Sequence, residues 1–112
     1  MTENELAKVV VDTAYQIHKN IGPGLLESVY EDALSFDLRE RGLIVEQQVS
    51  MPFIYKEVKM DVGYRLDLLV EGKLIAEIKS VDALASVHYA QTLTYLKLSD
   101  VRLGLLINFN TK

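Results

Sequence analysis

The sequence contains no cysteine, which excludes disulfides and thiolate metal sites and leaves carboxylates and two histidines, His18 and His88, as metal ligands. No apolar run approaches the roughly 20 residues that span a bilayer, so no membrane partner is expected. Met1 to Glu5 lacks the basic and apolar regions of a signal peptide, and a cytoplasmic protein is expected. An excess of positive charge is missing too. The net charge of -4 and pI near 5.1 speak against a general phosphate-binding surface, because nucleic-acid affinity rests on basic residues that displace counterions. Any nucleic acid would be met locally. There is no repeat, low-complexity segment or linker. A chain of 112 residues, 49% hydrophobic and 25% charged, fits one domain over residues 1–112. Such a domain buries roughly two-thirds of its unfolded surface.

What is present centres on Tyr64 to Lys79, which reads as two alternating strands joined by a short turn containing Gly72. Parity sets the register, because residues directly opposite on an antiparallel pair share a face and a one-residue slip reverses it. If Val70 faces Leu74, then Leu68 faces Ala76 and Leu66 faces Ile78, and one face is wholly apolar. A two-residue turn would mix polar and apolar groups on both faces, so a three-residue loop, Glu71 to Lys73, is expected. The other face then sets Asp67 opposite Glu77, where like charges destabilise a sheet. A raised pKa, a basic neighbour such as Lys79, or a divalent cation would each compensate. The alternative is a solvated polar face with chance charges.

Ahead of this hairpin, Leu6, Val10, Thr13/Ala14 and Ile17 recur at helical spacing, predicting a helix over Glu3 to Asn20. His18 near its end suits the helix dipole. Gly22-Pro23-Gly24 breaks the pattern, and a second helix is expected from about Leu25 to Arg41, with Gly42 at its C-terminal cap. Glu27 shares a stripe with Tyr30, Leu34 and Leu38, an acid on the face expected to pack inward. Its alternative role is a first-turn Glu satisfied by the dipole, which Glu31 and Asp32 share while lying less centrally in the stripe. Leu43 to Met51 and Phe53 to Val58 read as strands broken at Pro52, both antiparallel neighbours of the hairpin. Lys56 and Lys59 read as solvated edge charges.

Beyond Lys79, Asp82 is a plausible N-cap for a helix of about Ala83 to Leu98. Its inward stripe is expected to carry Leu84, Val87, His88, Gln91, Tyr95 and Leu98. Leu- and Ile-rich Arg102 to Phe109 should then lie parallel to the strand ending at Lys79, by a right-handed crossover. The fold class is α/β, a mixed sheet of four to five strands flanked by helices.

Asp67, Glu77 and Lys79, with Glu27 brought from the second helix, offer the hard oxygen ligands that Mg2+ or Mn2+ prefers and a lysine beside them. This set suits phosphodiester hydrolysis, though Lys79 as a simple salt-bridge partner is the alternative. Asp67 with Glu77-Ile78-Lys79 resembles the signature of the PD-(D/E)XK nuclease superfamily. Gly24-Leu25-Leu26-Glu27-Ser28-Val29-Tyr30 resembles the motif that names its small GxxExxY protein family, and Gln91-Thr92-Leu93-Thr94-Tyr95 the Gln-x3-Tyr element of RecB-like nucleases. In place of the superfamily's proline, Leu66 precedes Asp67. The resemblance covers nearly the whole chain. It implies a restriction-endonuclease-like core and a metal held by Glu27, Asp67 and Glu77. It further implies catalysis assisted by Lys79, with Gln91 and Tyr95 supporting the site or contacting substrate.

Three functions remain open on the sequence. One is a Mg2+-dependent nuclease acting on DNA; another is a catalytically silent binding or regulatory module that keeps the fold. The third is a phosphohydrolase acting on a small phosphorylated molecule. A homodimer is compatible with a domain this small, though no residue demonstrates it.

Overall fold

In the computed structural model, which describes residues 1–111, the chain opens with α1, Glu3–Ile21. Thr2 caps it: its Oγ1 accepts from Glu5 N–H at 3.1 Å while Glu5 Oε1 accepts from Thr2 N–H at 2.9 Å. The inward stripe is the one its spacing predicts, with Leu6, Val10, Thr13, Ala14 and Ile17 all buried. Helix α2, Glu27–Glu40, buries Tyr30, Leu34 and Leu38 beside them.

The connection between the two helices is held from inside. Tyr30 donates its hydroxyl to Gly22 O at 2.6 Å and accepts from Leu25 N–H at 3.2 Å. Gly22 and Gly24 take φ of 81° and 113°, in the region that side chains disfavour. The Tyr30 ring stacks on Phe109 with centroids 4.6 Å apart. A tyrosine fixed in this way sets where α2 begins, and so where Glu27 stands.

Strands β1 (Val45–Met51), β2 (Ile54–Tyr55), β3 (Val58–Lys59), β4 (Tyr64–Val70) and β5 (Leu74–Lys79) follow, then α3 (Ser86–Ser99) and β6 (Leu103–Asn108). The main sheet is four-stranded and mixed, in the order β1-β4-β5-β6. β5 and β6 run parallel, as a helical crossover requires. Leu68, Val70, Leu74, Ala76 and Ile78 join the stripes of α1 and α2 in one core.

Among the described residues, β2 pairs with β3 alone, in a separate two-stranded ribbon, and does not join the hairpin's sheet. The cause is a reversal at Lys56-Glu57, which turns the chain back on itself within the stretch read as one strand. Helix α3 begins at Ser86, with Ala85 rather than Asp82 at its N-cap, and His88 Nδ1 accepts Ala85 N–H at 2.9 Å. Its inward side runs through His88, Thr92, Tyr95 and Ser99, while Val87, Gln91 and Leu98 are exposed. That rotation follows from the close approach of Leu96 to Gly104 on β6. A Cβ at residue 104 would stand only 3.1 Å from a Leu96 methyl carbon.

Candidate functional site

The β4–β5 hairpin has the three-residue loop and the register that parity demands: Val70 pairs with Leu74, Leu69 with Ile75, and Leu68 with Ala76. Glu71 and Gly72 supply the left-handed turn, at φ 54° and 63°. The ladder ends one step before Asp67 and Glu77 would face each other. Here Asp67 donates its backbone N–H to Glu77 Oε2 at 2.8 Å, and Ile78 donates its N–H to Asp67 Oδ2 at 2.8 Å. Each carboxylate thus reaches across to the opposite strand and accepts a backbone donor, a charge-assisted bond that offsets the repulsion between them.

The same interruption continues into the neighbouring strand. β1 and β4 pair from Val45–Val70 to Met51–Tyr64, omitting the step that would join Gln48 to Asp67. Gln48 sits at φ 51°, and this local kink lets its amide reach two acids. Gln48 Nε2 donates to Glu31 Oε1 at 2.6 Å and to Asp67 Oδ1 at 3.3 Å. Gln47 Nε2 donates to Glu31 Oε2 at 3.1 Å and to Asp32 Oδ1 at 2.8 Å. Gln48, Asp67 and Glu77 therefore form a row across three strands where regular pairing gives way.

Burial drives the electrostatics of this row. Glu77 is 3% exposed, and burial pushes its carboxyl from an ordinary 4.5 up to about 7. The backbone bond from Asp67 and the charge of Lys79 oppose the rise, while the charges of Asp67 and Glu31 add to it. Burial likewise raises Glu31, partly offset by the amides of Gln47 and Gln48. Tyr95 of α3 lies half-buried over this face, stacked on Tyr64 with centroids 5.0 Å apart. Its hydroxyl is raised by burial and then by the charges of Glu77 and Asp67. Tyr64 in turn shares a 2.8 Å hydrogen bond with Ser99 Oγ, locking β4 to the end of α3.

The residues singled out from sequence are distributed unevenly. Asp67 and Glu77 meet, Lys79 lies two residues beyond Glu77 on the same strand, and Tyr95 approaches both acids. Gln91 is exposed one turn earlier on α3. Glu27 is exposed, and its Oε2 accepts Ser80 N–H at 3.0 Å, tying the start of α2 to the end of β5. Ser80 Oγ donates to Leu25 O at 2.9 Å and reinforces that junction. Among the described residues, no three His, Cys, Asp or Glu side chains converge closely enough to cage a metal. The Asp67 and Glu77 carboxylates stand on adjoining strands, each bonded to the other strand's backbone, and Mg2+ commonly uses one or two carboxylates with water completing its shell, so this pair fits such an ion.

Glu31, Gln48 and Tyr64 were not singled out from sequence. Glu31 carried a usable signal, since it follows Glu27 by four residues and so shares its side of the helix. The reach of Gln48 depends on its left-handed backbone, for which the sequence offers no glycine as a marker.

An α/β domain whose central hairpin parts around an Asp and a Glu-x-Lys is the framework on which the comparison with known proteins falls. The profile of the PD-(D/E)XK nuclease superfamily matches residues 4–112. The chain belongs to that superfamily, and its mixed four-stranded sheet flanked by helices is the restriction-endonuclease-like fold. No match is found among curated proteins or among solved structures.

Proposed function

We propose that this protein is a metal-dependent nuclease of the GxxExxY family that hydrolyses phosphodiester bonds of DNA in the cytoplasm. The observation that carries this reading is the meeting of Asp67 and Glu77 where strand pairing stops, with Lys79 following on β5. Asp67 and Glu77 would hold Mg2+ or Mn2+, and Glu27, one of whose oxygens accepts Ser80 N–H, would join them from α2. When bound, such an ion supplies Lewis-acid stabilisation of the phosphate and lowers the pKa of water.

The chain's own residues have separable tasks. Backbone donors at Asp67 and Ile78 hold the two carboxylates in place and limit their mutual repulsion. Lys79 places an ammonium beside the acids, where negative charge develops on a phosphate under attack. Tyr95, steadied by Tyr64, covers the face and offers a hydroxyl toward substrate. Gln91 is exposed on the same helix and is available to a bound strand.

Incubation of the protein with DNA strands and Mg2+ or Mn2+ tests this reading. Cleavage should be lost in Glu77→Ala and Lys79→Ala while circular dichroism stays native, and cleavage surviving in both overturns the assignment. Thermal unfolding with millimolar Mg2+ or Mn2+ should rise, because a ligand that binds only the folded state stabilises it. A rise with no cleavage of any nucleic acid favours the catalytically silent binding module, a reading that the net charge of -4 supports. Assembly into a homodimer is read out by sedimentation in the same samples.

A further inference from the structure

The β2–β3 ribbon spans Phe53 to Met60, closed at its base by Met60 N–H donating to Phe53 O at 2.9 Å. Ile54 and Tyr55 are consecutive in β2 and so point to opposite faces, yet they are 59% and 53% exposed. Val58 across from Tyr55 is 57% exposed, and neighbouring Val62 is 77% exposed. Neither face of the ribbon is covered by the body of the domain. An isolated two-stranded hairpin is marginal in water, and one that displays apolar side chains on both faces has surface to bury against something else.

The side chains at the tip define what that is. Lys56 and Glu57 form the two-residue turn with φ of 51° and 67°, a conformation usually left to Asn or Gly and costly for longer side chains. The turn holds Lys56 Nζ 5.4 Å from the centre of the Tyr55 ring, and Phe53 stacks beside Tyr55 with centroids 6.2 Å apart. An ammonium and two aromatic rings are thereby presented together. Lys59 lies directly across from Ile54, so the ribbon carries two lysines against the single acid Glu57. The domain as a whole carries a net charge of -4.

The ribbon also leads toward the acids. The chain returns from it through Asp61 to Gly63 into Tyr64, the ring stacked on Tyr95. Exposed Arg65 follows in β4, two residues before Asp67. Lys56 at the tip and Arg65 beyond the root are thus the exposed cations that precede the Asp67–Glu77 pair along the chain.

We propose that the β2–β3 ribbon is a binding arm for a single-stranded segment of nucleic acid. Unpaired bases stack on Tyr55 and Phe53 while Lys56 and Arg65 neutralise adjacent phosphates. Aromatic rings serve unpaired bases because a duplex keeps its base faces stacked on one another. The small number of lysines and arginines fits a local grip on one strand better than a broad duplex surface. This inference rests on the nuclease reading for its substrate class, and its test is independent of cleavage.

Fluorescence anisotropy of a labelled oligothymidylate strand, and of a matched labelled duplex, is measured with metal chelated. The strand should bind more tightly than the duplex, and Tyr55→Ala should weaken strand binding on the order of tenfold while Tyr55→Phe retains it. Lys56→Ala should lower the slope of log affinity against log salt by about 0.7. Strand affinity unchanged in both Tyr55→Ala and Lys56→Ala overturns the arm, and does so even if the wild type cleaves DNA. Preference for the duplex also overturns it. A change of sedimenting mass in Tyr55→Ala with strand affinity intact assigns the ribbon to protein contact instead. Absence of both binding and cleavage in the wild type removes the arm and the nuclease reading together.

Discussion

Replacing Glu77 by glutamine isolates the cost of burying a carboxylate at the centre of this sheet. In the folded protein its carboxyl titrates near 7 rather than at 4.5, with burial the main cause. Below the ordinary value the group is protonated both folded and unfolded, and the wild type carries no penalty. As pH rises from about 4.5 toward 7, the unfolded chain ionises while the folded chain holds its proton, so stability falls; above 7 the loss is complete. Each tenfold change in proton affinity is worth about 1.4 kcal/mol, which caps the loss at about 3 kcal/mol. Glu77→Gln keeps an oxygen to accept Asp67 N–H, though the neutral amide is a weaker acceptor by about 1 kcal/mol. Urea unfolding with metal chelated should therefore show the variant more stable than wild type by about 1–2 kcal/mol near pH 8, with that advantage gone near pH 4.5. A difference that stays the same at both pH values would refute the assignment of the penalty to ionised Glu77.

Gln48→Leu removes the amide that donates to buried Glu31 and to Asp67, and should destabilise by about 1–3 kcal/mol at neutral pH, less in acid as Glu31 protonates; urea unfolding across pH reads this out. Tyr30→Phe loses the hydroxyl that pins Gly22 and Leu25, and should lower unfolding free energy by about 1–2 kcal/mol while leaving the ring stacked on Phe109. Faster amide exchange at residues 22–25 would accompany that loss. Gly63→Ala would drive a Cβ into Met51 O, forcing β1 and β4 apart at their Met51–Tyr64 end. It should cost about 2 kcal/mol or more in thermal or urea unfolding, and near wild-type stability would show that the backbone there yields easily.

Elements whose period repeats over several turns or steps are legible in the residues alone. Helix α1 buries the five residues its spacing names, and the β4–β5 register follows because a pleat admits only two parities and one of them buries charge. The crossover to β6 was legible for a similar reason, since a helix between neighbouring strands leaves them parallel. Tertiary structure decided which acids meet. Glu27 and Glu31 lie on one side of α2, but the junction at Ser80 engages the first while the kinked Gln48 engages the second. That choice depends on how the end of one helix meets two strands distant in sequence, a distance no local period encodes. The facing of α3 and the departure of the β2–β3 ribbon were decided in the same way, by the close fit of Leu96 on Gly104 and by a left-handed turn at residues that do not advertise one.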